Sequence, residues 1–180
     1  MLRITIAANE AWDERKEEFV TTKEQTLQLE HSLVSLSKWE SKWRKSFLHT
    51  KEMSSEELLD YVRCMTLTQN VNPEIYYRLT NEQIREIKEY INAPMTATTF
   101  AEDKNTRPNR EIITAELIYH WMIDAGVPFE CQKWHLNRLL TLIRVRSVKN
   151  TKPKPMGKKA LMSRNTALNA ARRKQLNTKG

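Results

Sequence analysis

The chain has 180 residues, 39% of them hydrophobic, and a formal net charge of +8. Its length allows one hydrophobic core with appendages rather than two domains, and three Gly with six Pro are too few for the many turns of an all-β protein. No run approaches eighteen apolar residues and the first residues lack the pattern of a signal peptide, so we expect a cytoplasmic protein with no membrane partner.

Alternating apolar and polar residues predict a small sheet at the amino terminus. Leu2, Ile4 and Ile6 alternate with polar residues, and residues 19–22 and 26–30 repeat this period of two. The polar residues 9–18 between them are interpreted as a connection. We therefore expect about three antiparallel strands within residues 1–31, which must pack against helices because so small a sheet is not stable alone.

From Ser32 the apolar period changes to three and four, which is typical of amphipathic helices. A first helix is predicted whose buried stripe contains Leu33, Leu36, Trp39, Trp43 and Phe47. Capping boxes formed by Ser54 with Glu57 and by Thr80 with Gln83 predict a second helix over 55–67 and a third that ends before Pro94. A short helical segment is expected between them, beginning at Asn72 and Pro73.

The second half of the chain predicts two further helices and a basic arm. One helix should span residues 110–125 after an exposed loop at 102–110, with Gly126 as its left-handed stop. The next should begin at Pro128 and pair with it as a hairpin with a link of two to four residues. The helix over 110–125 should bury Ile113, Leu117 and Trp121, with Ile118 and Met122 as further candidates.

These patterns together predict a predominantly helical α+β fold. A single globular domain should span residues 1–148, with the sheet in 1–31 and the helices in 32–148. Residues 149–180 should form a basic linker and arm. Residues 158–176 are good helix formers with few apolar side chains, so we expect this arm to be frayed or disordered alone and helical on a partner.

The charges of the chain are segregated along its length. Residues 131–180 contain 14 Lys and Arg and no Asp or Glu, whereas residues 1–130 contain the other 16 basic residues and all 22 acidic ones. The two parts therefore carry formal charges of +14 and −6. Such a division favours association with an acidic partner through the basic end.

No pattern in the chain predicts catalysis or a cofactor. Cys131 and His135 are four residues apart and His120 precedes them, but a zinc site needs four ligands and neither CxxC nor HExxH occurs. The pairs at 56–57 and 86–89 are glutamates with Lys or Arg nearby, which we interpret as solvated helix faces. Without a nucleophile motif or a Gly-rich phosphate loop, we expect no enzyme activity, no catalytic residues, no metal and no cofactor.

The candidate binding residues lie in two places. The basic arm offers cations at a spacing compatible with a helix, whereas two tryptophans of the first helix form an aromatic stripe that core packing explains better than a partner does. The partner-binding residues predicted in the arm are Arg164, Arg172, Arg173 and Lys174, and the weaker pair is Trp39 and Trp43.

Several stretches together resemble a known family. Residues 25–33, 38–43, 90–100, 134–140 and 163–180 are similar to those of tail assembly chaperones encoded in the tail-gene region of long-tailed bacteriophages. The resemblance implies a protein of the infected host cytoplasm that covers the apolar stripes of the helical tape measure protein. It also implies that the basic arm recruits tail tube subunits.

A second hypothesis belongs to a different class. A virion structural protein could contact DNA, or a neighbouring subunit, through the same basic arm. Steep salt dependence of binding to unrelated duplex DNA, lost in a version ending at Val148, would favour it. A small regulator of host machinery is a third alternative. The sequence indicates no oligomeric state.

Overall fold

The structure is a computed structural model that describes residues 1–13, 18–100, 111–150 and 157–178. For residues 9, 11–13, 18–22 and 160 it describes the backbone alone. The predicted loop at 102–110 and most of the predicted linker lie outside the described residues. The chain divides into two compact units, Met1–Ser147 and Val148–Gly180. As predicted, the fold is α+β and predominantly helical, with a small antiparallel sheet at the amino terminus.

The amino-terminal strands form one interrupted hairpin. Its strands are β1 (Leu2–Ile6), β2 (Asn9–Asp13), β3 (Glu18–Thr22) and β4 (Gln25–Leu29), and β1 pairs with β4 while β2 pairs with β3. Ile6 lies opposite Gln25 and Asn9 opposite Thr22, so both ladders keep the same register. The prediction that residues 9–18 only connect strands is wrong for β2, because a ladder of backbone hydrogen bonds can continue without alternating apolar side chains.

The part of this hairpin formed by β1 and β4 covers the core. Ile4, Ile6, Leu27 and Leu29 are buried on one face, as their period of two predicts. The free edge of β4 is occupied by the chain that follows the second helix, since Leu67 N–H donates to the Gln28 carbonyl at 2.8 Å. The hairpin is thereby tied to the helical part.

Helix α1 (Leu33–Trp43) is shorter than its apolar stripe predicted. It ends where Arg44 adopts φ 53°, with its N–H donating to the Glu40 carbonyl at 2.7 Å. Phe47 therefore lies beyond the helix, yet it is still buried because the chain turns back toward the core.

The predicted capping boxes are confirmed. Helices α2 (Ser55–Met65) and α3 (Asn81–Asn92) begin with Ser54 and Thr80 as N-caps, and the Glu57 and Gln83 side chains accept from the cap N–H groups. A 3₁₀ helix (Pro73–Arg78) precedes α3 and is capped by Asn72, as expected.

Three predictions for the next pair of helices are wrong in part. Helix α4 (Ala115–Asp124) begins at the N-cap Thr114 rather than at 110. The candidates Ile118 and Met122 are buried, whereas Ile113, Leu117 and Trp121 are only partly buried. Residues 125–135, which include a 3₁₀ helix (Phe129–Lys133), separate it from α5 (Leu136–Asn150), so the short link does not exist. Gly126 does adopt the predicted left-handed conformation, with φ 61°.

One core joins these elements. Its members come from the hairpin, from α1 to α5 and from the intervening turns, and the largest fully buried side chains include Trp39, Tyr61, Leu33, Leu36, Met65, Ile87, Ile118, Met122 and Leu136. The carboxy-terminal unit contains helix α6 (Lys158–Leu176).

Candidate functional site

Helix α6 carries the predicted binding residues, and its two ends differ in stability. No side chain caps the amino end at Gly157, and Lys158 and Lys159 place positive charge against the positive end of the helix dipole. At the other end Asn177 adopts φ 53° and the Thr178 N–H donates to the Arg173 carbonyl at 3.1 Å, which is a Schellman-type stop. The first turn of α6 is therefore its weakest part.

Every described side chain of α6 is exposed. The apolar ones include Leu161 and Leu168, each 45% exposed, and Met162 and Leu176, which are 64% and 70% exposed. Leu161 and Leu168 are seven residues apart and share one face of the helix, about 20° apart around its axis. An apolar stripe this exposed contributes almost nothing to the stability of α6 by itself.

The four predicted cations do not lie on one face. Arg164 and Arg172 border the Leu161–Leu168 stripe on either side, whereas Arg173 and Lys174 point to other faces of α6, at about 100° per residue. Positive charge therefore surrounds the helix instead of forming a single strip.

The two predicted tryptophans occupy different environments. Trp39 is fully buried, its Nε1 donates to the Glu57 carbonyl at 2.9 Å, and its ring packs edge-on against Phe47 and Tyr61. Trp43 stacks on Trp39 and is only partly buried, with its Nε1 donating to Asp60 Oδ2 at 2.9 Å. Trp39 thus packs in the core, and Trp43 is the one of the pair with exposed surface.

Two buried carboxylates beside these tryptophans were not expected. Glu57, interpreted above as part of a solvated face, is 5% exposed because it closes the capping box of α2 and accepts a hydrogen bond from Lys45, which lowers its pKa. Burial alone would raise the pKa of Asp60, but hydrogen bonds from Lys42 and Trp43 outweigh it and lower that pKa. Glu57 thus holds Lys45 in the loop after α1, and Asp60 holds the last turn of α1.

The imagined Cys131, His135 and His120 site does not assemble. Cys131 and His135 are buried, whereas His120 is exposed on α4. Among the described residues no group of three or more His, Cys, Asp or Glu side chains is placed to hold a metal ion.

Instead His135 forms a buried pair with His31, a residue that no sequence motif predicted to be part of a site. Their rings lie 5.1 Å apart, and His31 Nδ1 is 2.5 Å from the Tyr61 hydroxyl. His135 Nε2 lies 3.0 Å from the Tyr90 carbonyl and must donate to it, so Nδ1 is free to accept from the Asn137 N–H at the start of α5. The period of two through Leu27 and Leu29 continues to His31 and was the available signal for its burial.

Burial keeps both imidazoles neutral. It lowers the pKa of His31 from 6.5 to about 3, with a smaller effect of the same sign from His135. Burial also lowers the pKa of His135, although its hydrogen bond to the Tyr90 carbonyl opposes this. The pair therefore carries no charge at neutral pH.

Comparisons with protein-family models, with curated proteins and with solved structures find no match to this chain. None of the described helices combines the length and the apolar character needed to cross a membrane.

Proposed function

We propose that this chain is a phage tail assembly protein, a chaperone that holds the helical tape measure protein and recruits tail tube subunits. The observation that carries the proposal is the exposure of α6 on all sides. A helix of this composition is marginal in water unless a partner buries one of its faces. Together with the charge segregation, this supports a protein that works by binding another chain.

The stripe of α6 indicates how such a partner would be held. Leu161 and Leu168 offer apolar surface, and Arg164 and Arg172 place positive charge along its two borders. A partner helix with an apolar stripe bordered by carboxylates is complementary to this arrangement. The tape measure protein is, by the resemblance, a long helical chain whose stripes need cover before the tail tube closes.

Co-expression tests the proposal directly. The tape measure protein encoded beside this chain should become more soluble with the full chain than alone, and a version ending at Asn150 should lose the effect. Asn150 is the better end point than Val148 because α5 extends that far. No gain in solubility with the full chain would overturn the chaperone role.

Two matched variants separate charge from apolar contact. Replacing Arg164, Arg172, Arg173 and Lys174 by Gln removes charge and keeps helix formers. The pair Leu161→Ala and Leu168→Ala removes the stripe and keeps the charges. Both variants should reduce the solubilising effect if the partner is held as described. The loss in the glutamine variant measures the contribution of charge, and the loss in the alanine variant measures the contribution of apolar contact.

The cations around α6 also favour a second candidate, a virion protein that contacts DNA. A polyanion can approach such a helix from any side, and the chain ending at Asn150 has a formal charge of −1 against +8 for the full chain. Binding to unrelated duplex DNA across a salt series distinguishes the two. Neutralising about six phosphates gives a log–log slope near −5, lost on truncation and unaffected by the leucine pair.

A further inference from the structure

A cleft of about 460 Å³ opens beside the buried histidine pair, entirely within the amino-terminal unit. It lies between the segment after α1, helix α2, the end of α3 and the start of α5. Its apolar wall includes Phe47, Met53, Leu58 and Ile91. The volume is within the range of small-molecule sites, about 300–1,000 Å³.

The charged groups of this cleft have one sign. Lys51 and Lys88 line it, and no Asp or Glu does. Both lysines are exposed, and neither forms an ion pair with any residue that the structure describes. Two unpaired ammonium groups beside an apolar wall attract an anion whose body is apolar.

A buried polar side chain also lines the cleft. His31 is 2% exposed, and Nδ1 is paired with the Tyr61 hydroxyl. The cleft therefore combines an apolar wall, two cations and one edge of a nearly buried imidazole.

We propose that this cleft binds a small amphipathic carboxylate, with its apolar part against Phe47, Met53, Leu58 and Ile91 and its carboxylate at Lys51 and Lys88. Burial of the apolar part supplies most of the affinity. The lysines select an anion over a neutral molecule of the same length. This site is independent of α6 and goes beyond the proposed assembly function.

Decanoate and decanol, both below their aggregation limits, are the matched probes. Titration of the full chain followed by calorimetry at low salt should show decanoate binding at least tenfold more tightly than decanol. The Lys51→Glu/Lys88→Glu variant should weaken decanoate binding tenfold or more and leave decanol binding unchanged. The control Lys38→Glu/Lys133→Glu makes the same change in net charge at exposed lysines outside the cleft and should retain both affinities.

Methyl spectra locate the bound probe, since α6 is also cationic. With ¹³C-methyl methionine, the Met53 signal should shift on addition of decanoate, whereas that of Met122, which is buried and does not line the cleft, should not. Equal binding of decanoate and decanol would overturn the proposal. So would a fixed Met53 signal, equal losses in the two lysine variants, or the absence of binding.

Discussion

Glu40 caps helix α4 across the core: its Oε2 accepts a hydrogen bond from the Ala115 N–H at 2.7 Å. The other oxygen, Oε1, accepts from the Phe47 N–H at 2.8 Å. One buried carboxylate thus fixes both the turn after α1 and the first turn of α4, although these segments are far apart in the chain. A negative charge at a helix amino terminus is favourable as well.

Replacing Glu40 by Ala should lower the free energy of unfolding by about 2–3 kcal/mol, because two buried N–H groups lose their acceptor. Urea unfolding followed by circular dichroism measures the change. Glu52→Ala, at an exposed glutamate, is the matched control and should change stability by less than about 0.5 kcal/mol. A loss below about 1 kcal/mol for Glu40→Ala would contradict the capping role.

Stability should fall with acidification before the carboxylates titrate. Because the pKa of His31 is lowered to about 3 from 6.5, the unfolded chain binds more protons between these values. The stabilising effect of neutral His31 is complete above pH 6.5 and is lost as the pH falls toward 3. From pH 7.5 to 5 this amounts to about 2 kcal/mol, with a contribution of the same sign from His135.

Urea titrations at several pH values test this dependence. His31→Phe should flatten the slope between pH 7.5 and 5, whereas His120→Gln, at an exposed histidine, should leave it unchanged. A wild-type protein equally stable at both pH values would show that the histidine pair is not buried in the neutral form.

The two tryptophans should respond differently to truncation. Trp39→Phe removes a buried hydrogen bond and leaves a void, so it should cost about 2–3 kcal/mol, whereas Trp43→Phe should cost about 1 kcal/mol at its partly buried position. Thermal and urea unfolding measure both. Equal costs would place the two rings in equivalent environments, against the geometry.

Gly126 should resist substitution for conformational reasons. Its φ of 61° is unfavourable for any residue with a Cβ. Steric clash is not the reason, because an added Cβ would meet its nearest atom, Arg146 Nη2, at an ordinary contact distance of 3.5 Å. Gly126→Ala should therefore cost about 1–2 kcal/mol. Gly157→Ala, where nothing lies within 4 Å of an added Cβ, is the control and should not alter the main unfolding transition.

Removing residues 151–180 should leave the remaining domain intact. Since every described side chain of α6 is exposed, we expect a change below about 0.5 kcal/mol in the unfolding of residues 1–150. A peptide of residues 157–178 should show little helix in water and more in trifluoroethanol. A loss of more than about 2 kcal/mol on truncation would instead mean that the arm helps to fold the domain.

Local patterns determined much of the fold. The capping boxes at Ser54 and Thr80, the left-handed Gly126 and the buried face of β1 and β4 each depend on residues within one element, where spacing alone decides the geometry. The charge segregation is likewise a property of the sequence, and it motivates the basic arm as a binding element.

The tertiary structure decided the rest, because those features depend on partners distant in sequence. Periodicity along the chain does not identify the packing partners of an element. Three features depend on such partners: the pairing of β2, the burial of Ile118 rather than Leu117, and the hydrogen bond from Ala115 N–H to Glu40. The cleft with its two lysines is of the same kind, since its walls come from five separate segments. Sequence spacing defines a face of one element, and only packing determines what that face meets.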